Sequence, residues 1–348
     1  MKFWFTTTAL EGQYRENSDF VSKMVSRVQA SGIARYQQAS APAQADVIVF
    51  FEPNYHKDKK YPRLLLSNPL VREFPNKCFT VDYEDGPIGF LPGVYVGMPR
   101  SRMDHLRFRA GCYMGQYNTL TTQMADQRHR PPELLFSFRG SASSEVRKQL
   151  FNSNIAINDG VIKQTFAWFD HSEDDKHAYV KEILNSKFVL CPRGLSTVSI
   201  RLFETMELGR VPVILSDDWV QPDGPSWPQF SLRLSESRMQ ELPDLLREYE
   251  PYAAEMGQLA RLAWEEWFSP KMRGVRTLEY IEDIARQRPV QHNEAAIQAH
   301  WLSTTFAWKQ GWTPPQSLYR NVRQGTLVNK IKAKLLPRGA SGVRSELP

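Results

Sequence analysis

The chain has 348 residues, of which 41% are hydrophobic and 24% are charged, as in ordinary globular proteins with room for two domains. The formal net charge of +6 favours an anionic partner. The three cysteines are an odd number without metal-ligand spacing, which argues against a disulfide scaffold and a zinc site and indicates a reducing compartment.

The amino terminus reads MKFWFTTTAL and soon reaches Glu11, Arg15 and Glu16, so its apolar run is too short for a signal peptide. No window of about 18 apolar residues occurs in the chain, so we expect no membrane-spanning helix. Together these features predict a cytoplasmic protein.

Apolar strands alternate with amphipathic helices along both halves of the chain, a pattern typical of parallel sheets covered by helices. The first half has predicted strands at residues 2–5, 45–51 and 77–81 and a helix at 18–30. The second has strands at 134–138, 188–190 and 211–215 and helices at 144–151 and 176–185. A polar, Pro-rich stretch at 124–133 separates them. We therefore predict an amino-terminal domain at 1–130, a carboxyl-terminal domain at 131–290, and a helical extension with a basic tail at 291–348.

The most informative stretch is Lys187 to Asp218, KFVLCPRGLSTVSIRLFETMELGRVPVILSDD. It predicts a strand, a polar loop, a helix and a second strand, with the loop at the carboxyl edge of a parallel sheet, where ligands bind. The helix should begin near Ser196, Thr197 or Ser199, and its free backbone N–H groups would attract an anion. Arg201 and Glu204 share one face of this helix.

This pattern resembles the carboxyl-terminal half of the exostosin family, also called glycosyltransferase family 47, over residues 134–250. The shared residues are Cys191-Pro192-Arg193-Gly194, Ser199, Arg201, Glu204, Gly209, Pro212-Val213 and Asp217-Asp218, with Phe138-Arg139-Gly140 upstream. Two Rossmann-like α/β domains facing each other across a cleft form the GT-B architecture, which we expect here. The resemblance implies an inverting, metal-independent transfer of a sugar from a nucleotide diphosphate, most often UDP, without a cofactor.

Several residues of this stretch are candidates for binding the donor. Arg193 could contact the diphosphate together with Gly194, Ser196, Thr197 and Ser199, because negative charge develops on the leaving phosphate. Glu204 could bind the ribose hydroxyls and Arg201 the phosphates. The alternatives are that Arg193 is salt-bridged elsewhere and that Arg201 and Glu204 form an ion pair.

Two further candidates lie at the ends of neighbouring strands. Arg139-Gly140 could bind the diphosphate opposite Arg193, although Arg139 could instead pair with Glu133 or another surface acid. Asp217 could line the nucleotide pocket, or it could simply cap or turn the chain. Asp217-Asp218 lacks the spacing of a metal-binding Asp-x-Asp motif, so we predict no metal site.

An inverting transfer needs a general base across the cleft from the donor. The candidates are Asp82, Glu84 and Asp85, which follow a predicted strand. The alternative is that this acidic cluster is a solvated turn before Gly86-Pro87. Glu52 and His56 are weaker candidates.

The basic tail at 320–344 has apolar residues on one helical face and could lie on an anionic membrane, where lipid-linked glycan acceptors reside. The alternative is a helix packed on the domain surface. A nucleic-acid-binding role for this tail is weaker still.

No G-x-G-x-x-G, P-loop or nucleophile-elbow motif occurs, which removes the main support for dinucleotide, P-loop and esterase functions. The sequence thus predicts a glycosyltransferase with a nucleotide diphosphate sugar donor and a glycan acceptor. The rival hypothesis is a non-catalytic nucleotide- or glycan-binding protein that keeps the pocket.

Overall fold

The structure is a computed structural model, and it describes residues 1–8, 15–52, 61–83, 85–115, 118–153, 155, 159–165, 172–287, 299 and 303. The predicted tail, Glu84 and His56 lie outside these residues. Within the described part, no helix is both long enough and apolar enough to cross a membrane.

A first sheet of six parallel strands has the order β2-β1-β3-β4-β5-β6. Its strands are β1 (Lys2–Thr6), β2 (Gln37–Gln38), β3 (Val47–Glu52), β4 (Cys78–Asp82), β5 (Gly93–Tyr95) and β6 (Phe108–Ala110). The helices of this region are α1 (Arg15–Ala30), α2 (Tyr61–Ser67), α3 (Pro69–Glu73) and α4 (Leu120–Gln123). Every residue of β3 and β4 is buried, as expected for central strands covered on both faces.

A second sheet of five parallel strands has the order β11-β10-β9-β7-β8. Its strands are β7 (Leu134–Gly140), β8 (Gly160–Gln164), β9 (Ser186–Pro192), β10 (Val211–Leu215) and β11 (Leu232–Arg233). The helices are α5 (Glu145–Asn152), α6 (Glu173–Leu184), α7 (Ile200–Glu207), α8 (Leu242–Tyr249), α9 (Ala253–Ala263) and α10 (Arg273–Gln287). The two α/β units of parallel strands and helices confirm the predicted Rossmann-like architecture.

The last described helix, α10, falls within the predicted carboxyl-terminal domain but packs on the first sheet against β5, β6 and α1. Arg109 of β6 donates from Nε to Asp283 Oδ2 of α10 at 3.0 Å, and the Tyr36 hydroxyl donates to Glu282 at 2.9 Å. The chain therefore crosses between the two units a second time. The boundary at residue 130 remains a prediction.

Candidate functional site

A cavity of about 460 Å³ lies between the two α/β units. Asp85, Tyr113 and Asn118 line it from the amino-terminal side, whereas the ends of β7, β8 and β9 and the starts of α5, α6 and α7 line it from the other. Carboxyl ends of strands and amino ends of helices surround ligand sites in parallel α/β folds, because free backbone N–H groups gather there. Its place in the fold makes this cavity the candidate active site.

Three arginines line the cavity, Arg139, Arg147 and Arg201. Arg139 has a carboxylate partner, since its Nε donates to Glu182 Oε2 at 2.8 Å and its Nη2 also contacts Glu182. This hydrogen bond raises the pKa of Arg139 above its ordinary value. Its charge is therefore largely balanced within the protein.

Arg201 is 7% exposed and holds its guanidinium between two rings, 4.6 Å from the centre of Phe138 and 5.4 Å from that of Tyr179. Its Nη2 donates to the backbone carbonyl of Arg139. Its Nε and Nη1 are buried and have no hydrogen-bond partner among the described residues. Two buried charged donors without a partner are costly, so Arg201 is the least satisfied of the three arginines among the described residues.

Arg147, in the first turn of α5, donates to the carbonyl of Pro192 at 3.3 Å and to the Ser199 hydroxyl at 3.4 Å. Burial and the neighbouring Arg201 lower the pKa of Arg147 to about 9. Both effects disfavour a cation at this place in the absence of a ligand. An anion in the cavity would offset them.

Two predicted glycines make room for these guanidinium groups. A Cβ on Gly140 would lie 3.1 Å from Arg201 Nη2, and a Cβ on Gly194 would lie 3.4 Å from Arg147 Nη2. The contact at Gly140 is tight, so a side chain there would require Arg201 to shift by a few tenths of an ångström, whereas the distance at Gly194 is an ordinary van der Waals contact.

The helix α7 begins after Ser199, one of the three predicted starting points. The Ser199 side chain makes no capping hydrogen bond to the helix and instead accepts from Arg147. The backbone N–H groups in the first turn of α7 therefore have no side-chain cap from Ser199. They lie at the cavity wall, where an anion can accept their hydrogen bonds.

Glu204, the predicted ribose ligand, lines the cavity and accepts a hydrogen bond from the Tyr179 hydroxyl at 2.5 Å. Burial raises the pKa of Glu204, and the hydrogen bond from Tyr179 and the charge of Arg201 oppose this rise. The predicted ion pair between Arg201 and Glu204 is absent from the salt bridges among described residues.

Of the three candidate bases, Asp85 lines the cavity. The Tyr113 hydroxyl donates to Asp85 Oδ1 at 2.8 Å. Burial raises the pKa of Asp85, while the hydrogen bond from Tyr113 and the charge of Arg147 oppose this rise. Asp82 ends β4, is 2% exposed, and accepts from the Ile88 amide at 3.3 Å, outside the cavity lining.

Arg193 and Asp217, both predicted donor residues, lie in a separate cluster around Glu236. Arg193 donates to Glu236 from Nε at 2.6 Å and from Nη2 at 3.1 Å, which raises the pKa of Arg193. Asp217 is exposed and accepts from the Glu236 amide at 3.2 Å. Neither side chain lines the cavity, because Glu236 engages the arginine in a bidentate pair.

The predicted hydroxyls of Ser196 and Thr197 are buried without a hydrogen-bond partner in the described structure, and neither residue is part of the cavity lining. Glu52, the weaker candidate base, is fully buried and accepts two hydrogen bonds from Thr8. No group of three or more His, Cys, Asp or Glu side chains suited to a metal ion occurs in the described ranges.

Sequence reasoning missed Arg147, Tyr113 and Tyr179. A signal for Arg147 was present, because it lies three residues after the helix cap Ser144, in a first turn where the helix dipole disfavours cations. Tyr113 and Tyr179 had no such signal, since tyrosines are common in apolar cores.

Two α/β units with parallel sheets and a cleft between them give the architecture that the sequence predicted, which is that of the GT-B fold. Residues 107–249 match the Exostosin GT47 domain, which is less than half of the chain. Exostosin-1 of Drosophila melanogaster is 30% identical over 126 residues, which is 35% of this chain and 17% of that protein. Exostosin-1b of Danio rerio is 31% identical over 123 residues, or 34% and 17% of the two chains. The matched region thus spans about a sixth of the length of these relatives.

Among solved structures, the chain is similar to a glycosyltransferase from Rickettsia africae, with a TM-score of 0.42, 9% identity, and coverage of 81% of this chain and 98% of the other. The Anabaena protein HepE, solved in complex with UDP-glucose, gives a TM-score of 0.41, 7% identity, and coverage of 81% and 100%. The family match begins at β6 and includes all three cavity arginines, while Asp85 lies before it.

Proposed function

We propose that the protein is an inverting glycosyltransferase that uses a nucleotide diphosphate sugar, with UDP as the expected nucleotide, and a glycan acceptor. The observation that carries this proposal is the side chain of Arg201, which lines a cavity together with Arg147 and has two buried donors without a hydrogen-bond partner among the described residues. A diphosphate supplies several acceptor oxygens to such donors. The match of residues 107–249 to the exostosin domain supports the same reaction class.

In the proposed reaction, the diphosphate binds to Arg201, Arg147 and the start of α7. When the bond between the sugar C1 and the phosphate oxygen breaks, its electron pair stays on that oxygen. The guanidinium groups stabilise the negative charge that develops there. Glu204 lies next to Arg201 in the cavity wall and is available for the ribose hydroxyls.

Asp85 is the proposed general base. Asp85 precedes β7, whereas the three arginines lie on or after it, so the proposed base and the proposed phosphate ligands come from different α/β units. Asp85 takes the proton of the acceptor hydroxyl while the acceptor oxygen bonds to the sugar C1. Burial raises its pKa above the usual aspartate value, which makes it a stronger base.

The test is nucleotide release from a panel of UDP-, GDP- and ADP-sugars with glycan acceptors, using the full-length chain and Asp85→Asn. Asp85→Asn should lower turnover at least about 100-fold, the usual minimum contribution of a general base. It should leave the rise in melting temperature on adding UDP unchanged, because Asp85 does not bind the nucleotide. A melting shift without turnover for any donor would favour the non-catalytic binding protein, and the absence of both would refute the proposal.

A further inference from the structure

Tyr113 follows β6 and is 7% exposed, with its hydroxyl between the two sides of the cleft. The hydroxyl lies 2.8 Å from Asp85 Oδ1 and 3.3 Å from the backbone carbonyl oxygen of Val198. Val198 immediately precedes Ser199, the cap of α7, and also lines the cavity. The ring of Tyr113 is held edge-on to Phe203 of α7, with centroids 6.3 Å apart. One side chain therefore contacts both the candidate base and the loop at the phosphate end of the cavity.

A tyrosine hydroxyl has one proton to donate, so it cannot fully serve both acceptors at once. A carboxylate is a stronger acceptor than a neutral carbonyl, and the shorter of the two distances is the one to Asp85. When Asp85 carries a proton, its oxygens are neutral acceptors like the Val198 carbonyl, and the preference of Tyr113 for Asp85 falls. The position of this proton thus follows the charge state of Asp85.

The charged and titratable groups around Asp85 come from several elements. Tyr113 and Arg147 act on its charge directly, and both favour the carboxylate. The other charged groups that line the cavity are Arg139, Asp175, Lys176, Arg201 and Glu204. Glu204 is hydrogen-bonded to Tyr179, and Arg139 is paired with Glu182. Among the described groups, Tyr113 is thus the neutral donor that fixes the direction of the Asp85 carboxylate.

We propose that Tyr113 is a positioning residue for the transfer, which holds Asp85 as a carboxylate at a fixed distance from the loop before α7. This inference rests on the proposed function. As the acceptor oxygen bonds to the sugar C1, its proton passes to Asp85 and the phosphate oxygen leaves with the bonding electrons. Tyr113 then donates to the Val198 carbonyl instead, so no proton is lost or gained.

The test is the titration of Asp85 in the full-length chain, labelled with carbon-13 at the aspartate side-chain carboxyl carbons and assigned with Asp85→Asn. Tyr113→Phe should move the Asp85 titration to higher pH, because the carboxylate loses its hydrogen-bond donor. Tyr36→Phe is the matched control, since it removes a similar tyrosine–carboxylate bond, to Glu282, outside this cavity. It should leave the Asp85 titration unchanged.

A second readout is the pH profile of nucleotide release at saturating donor. Tyr113→Phe should shift the acidic limb to higher pH and lower kcat, with the UDP-induced melting shift retained. An Asp85 titration equal in wild type and Tyr113→Phe would overturn the positioning role, whatever the activity. Absence of nucleotide release in the wild type would instead count against the proposed function, and the titration would still decide the role of Tyr113.

Discussion

Replacement of Arg201 by methionine tests which of two arginines, Arg193 or Arg201, binds the diphosphate; the sequence favoured Arg193. Within the described structure Arg201 has two buried donors without a partner, whereas Arg193 already donates two hydrogen bonds to Glu236. Methionine keeps most of the side-chain volume and an apolar contact with the rings of Phe138 and Tyr179. Arg201→Met therefore removes the charge and its donors with little loss of packing.

The expected loss of UDP affinity in Arg201→Met follows from the number of hydrogen-bond donors that the substitution removes. A hydrogen bond that involves a charged group contributes about 1.5–3 kcal/mol, so the Nε and Nη1 donors of Arg201 together should contribute at least about 3 kcal/mol to diphosphate binding. Each 1.4 kcal/mol is a factor of ten in affinity, and the dissociation constant for UDP should rise by roughly 100-fold or more. Arg193→Met should raise it less than about threefold, because the pair with Glu236 is partly exposed and lies outside the cavity lining.

Isothermal titration of UDP into the full-length wild type and the two variants measures these constants. Thermal unfolding without ligand is the control for folding. If Arg193→Met weakens UDP binding as much as Arg201→Met does, the assignment of the diphosphate to the Arg201 side of the loop is refuted. Such a result would mean that Arg193 leaves Glu236 when the nucleotide binds.

Three other predictions concern charge and packing. Arg147→Met should weaken UDP binding roughly 10- to 100-fold and should not destabilise the unliganded protein, because Arg147 is a half-buried cation beside Arg201; calorimetry and urea unfolding check the two effects. Asp85→Asn should raise the melting temperature above the pH range in which Asp85 titrates, and this gain should vanish in acid. Gly257→Ala should cost about 1–3 kcal/mol in urea unfolding, because its Cβ would lie 2.5 Å from the Gly209 carbonyl oxygen.

The direction in which Asp85→Asn changes the stability follows from the raised pKa of Asp85. The unfolded chain releases this proton at lower pH than the folded protein does, so stability falls as pH rises through the interval between the two pKa values. Above that interval Asp85 is charged in the folded protein, and the full cost of desolvating its carboxylate lowers the stability. The neutral asparagine side chain does not carry this cost. Equal stability of Asp85→Asn and wild type at neutral pH would contradict this account.

For Gly257→Ala, a gain in stability, as expected for an unobstructed helix position, would contradict the close contact.

The strand–loop–helix at 187–218 was predictable because its physical signals are local. Continuous apolar runs mark β9 and β10, and the Ser/Thr cluster marks the start of α7. The short strands β5 and β6 have three residues each and carry no comparable pattern. The return of α10 to the first sheet depends on long-range contacts such as Arg109 with Asp283, which no local signal encodes.

Some site residues were likewise predictable from local sequence signals, whereas others depended on long-range contacts. Arg201, Glu204 and Gly140 were predictable because their positions follow from the ends of strong elements, and the cavity brings them together. The partner of Arg193 is 43 residues away in a loop, so sequence spacing could not show that Glu236 engages it. The choice among the acidic residues at the end of β4 and after it depended on tertiary structure, which buries Asp82 in the sheet and places Asp85 at the cavity.

The charge balance of the cavity connects its stability with its proposed ligand. Of the three arginines, Arg139 has a carboxylate partner, whereas the hydrogen bonds of Arg147 and Arg201 go to neutral oxygens. The unliganded fold therefore holds two positive charges side by side, whose repulsion lowers its stability; the Glu204 and Asp85 carboxylates lie near them without an ion pair to either arginine among the described residues. A bound diphosphate brings the opposite charge to that place, so binding and folding stability must rise together. The same two arginines that weaken the empty protein should account for most of its stabilisation by UDP.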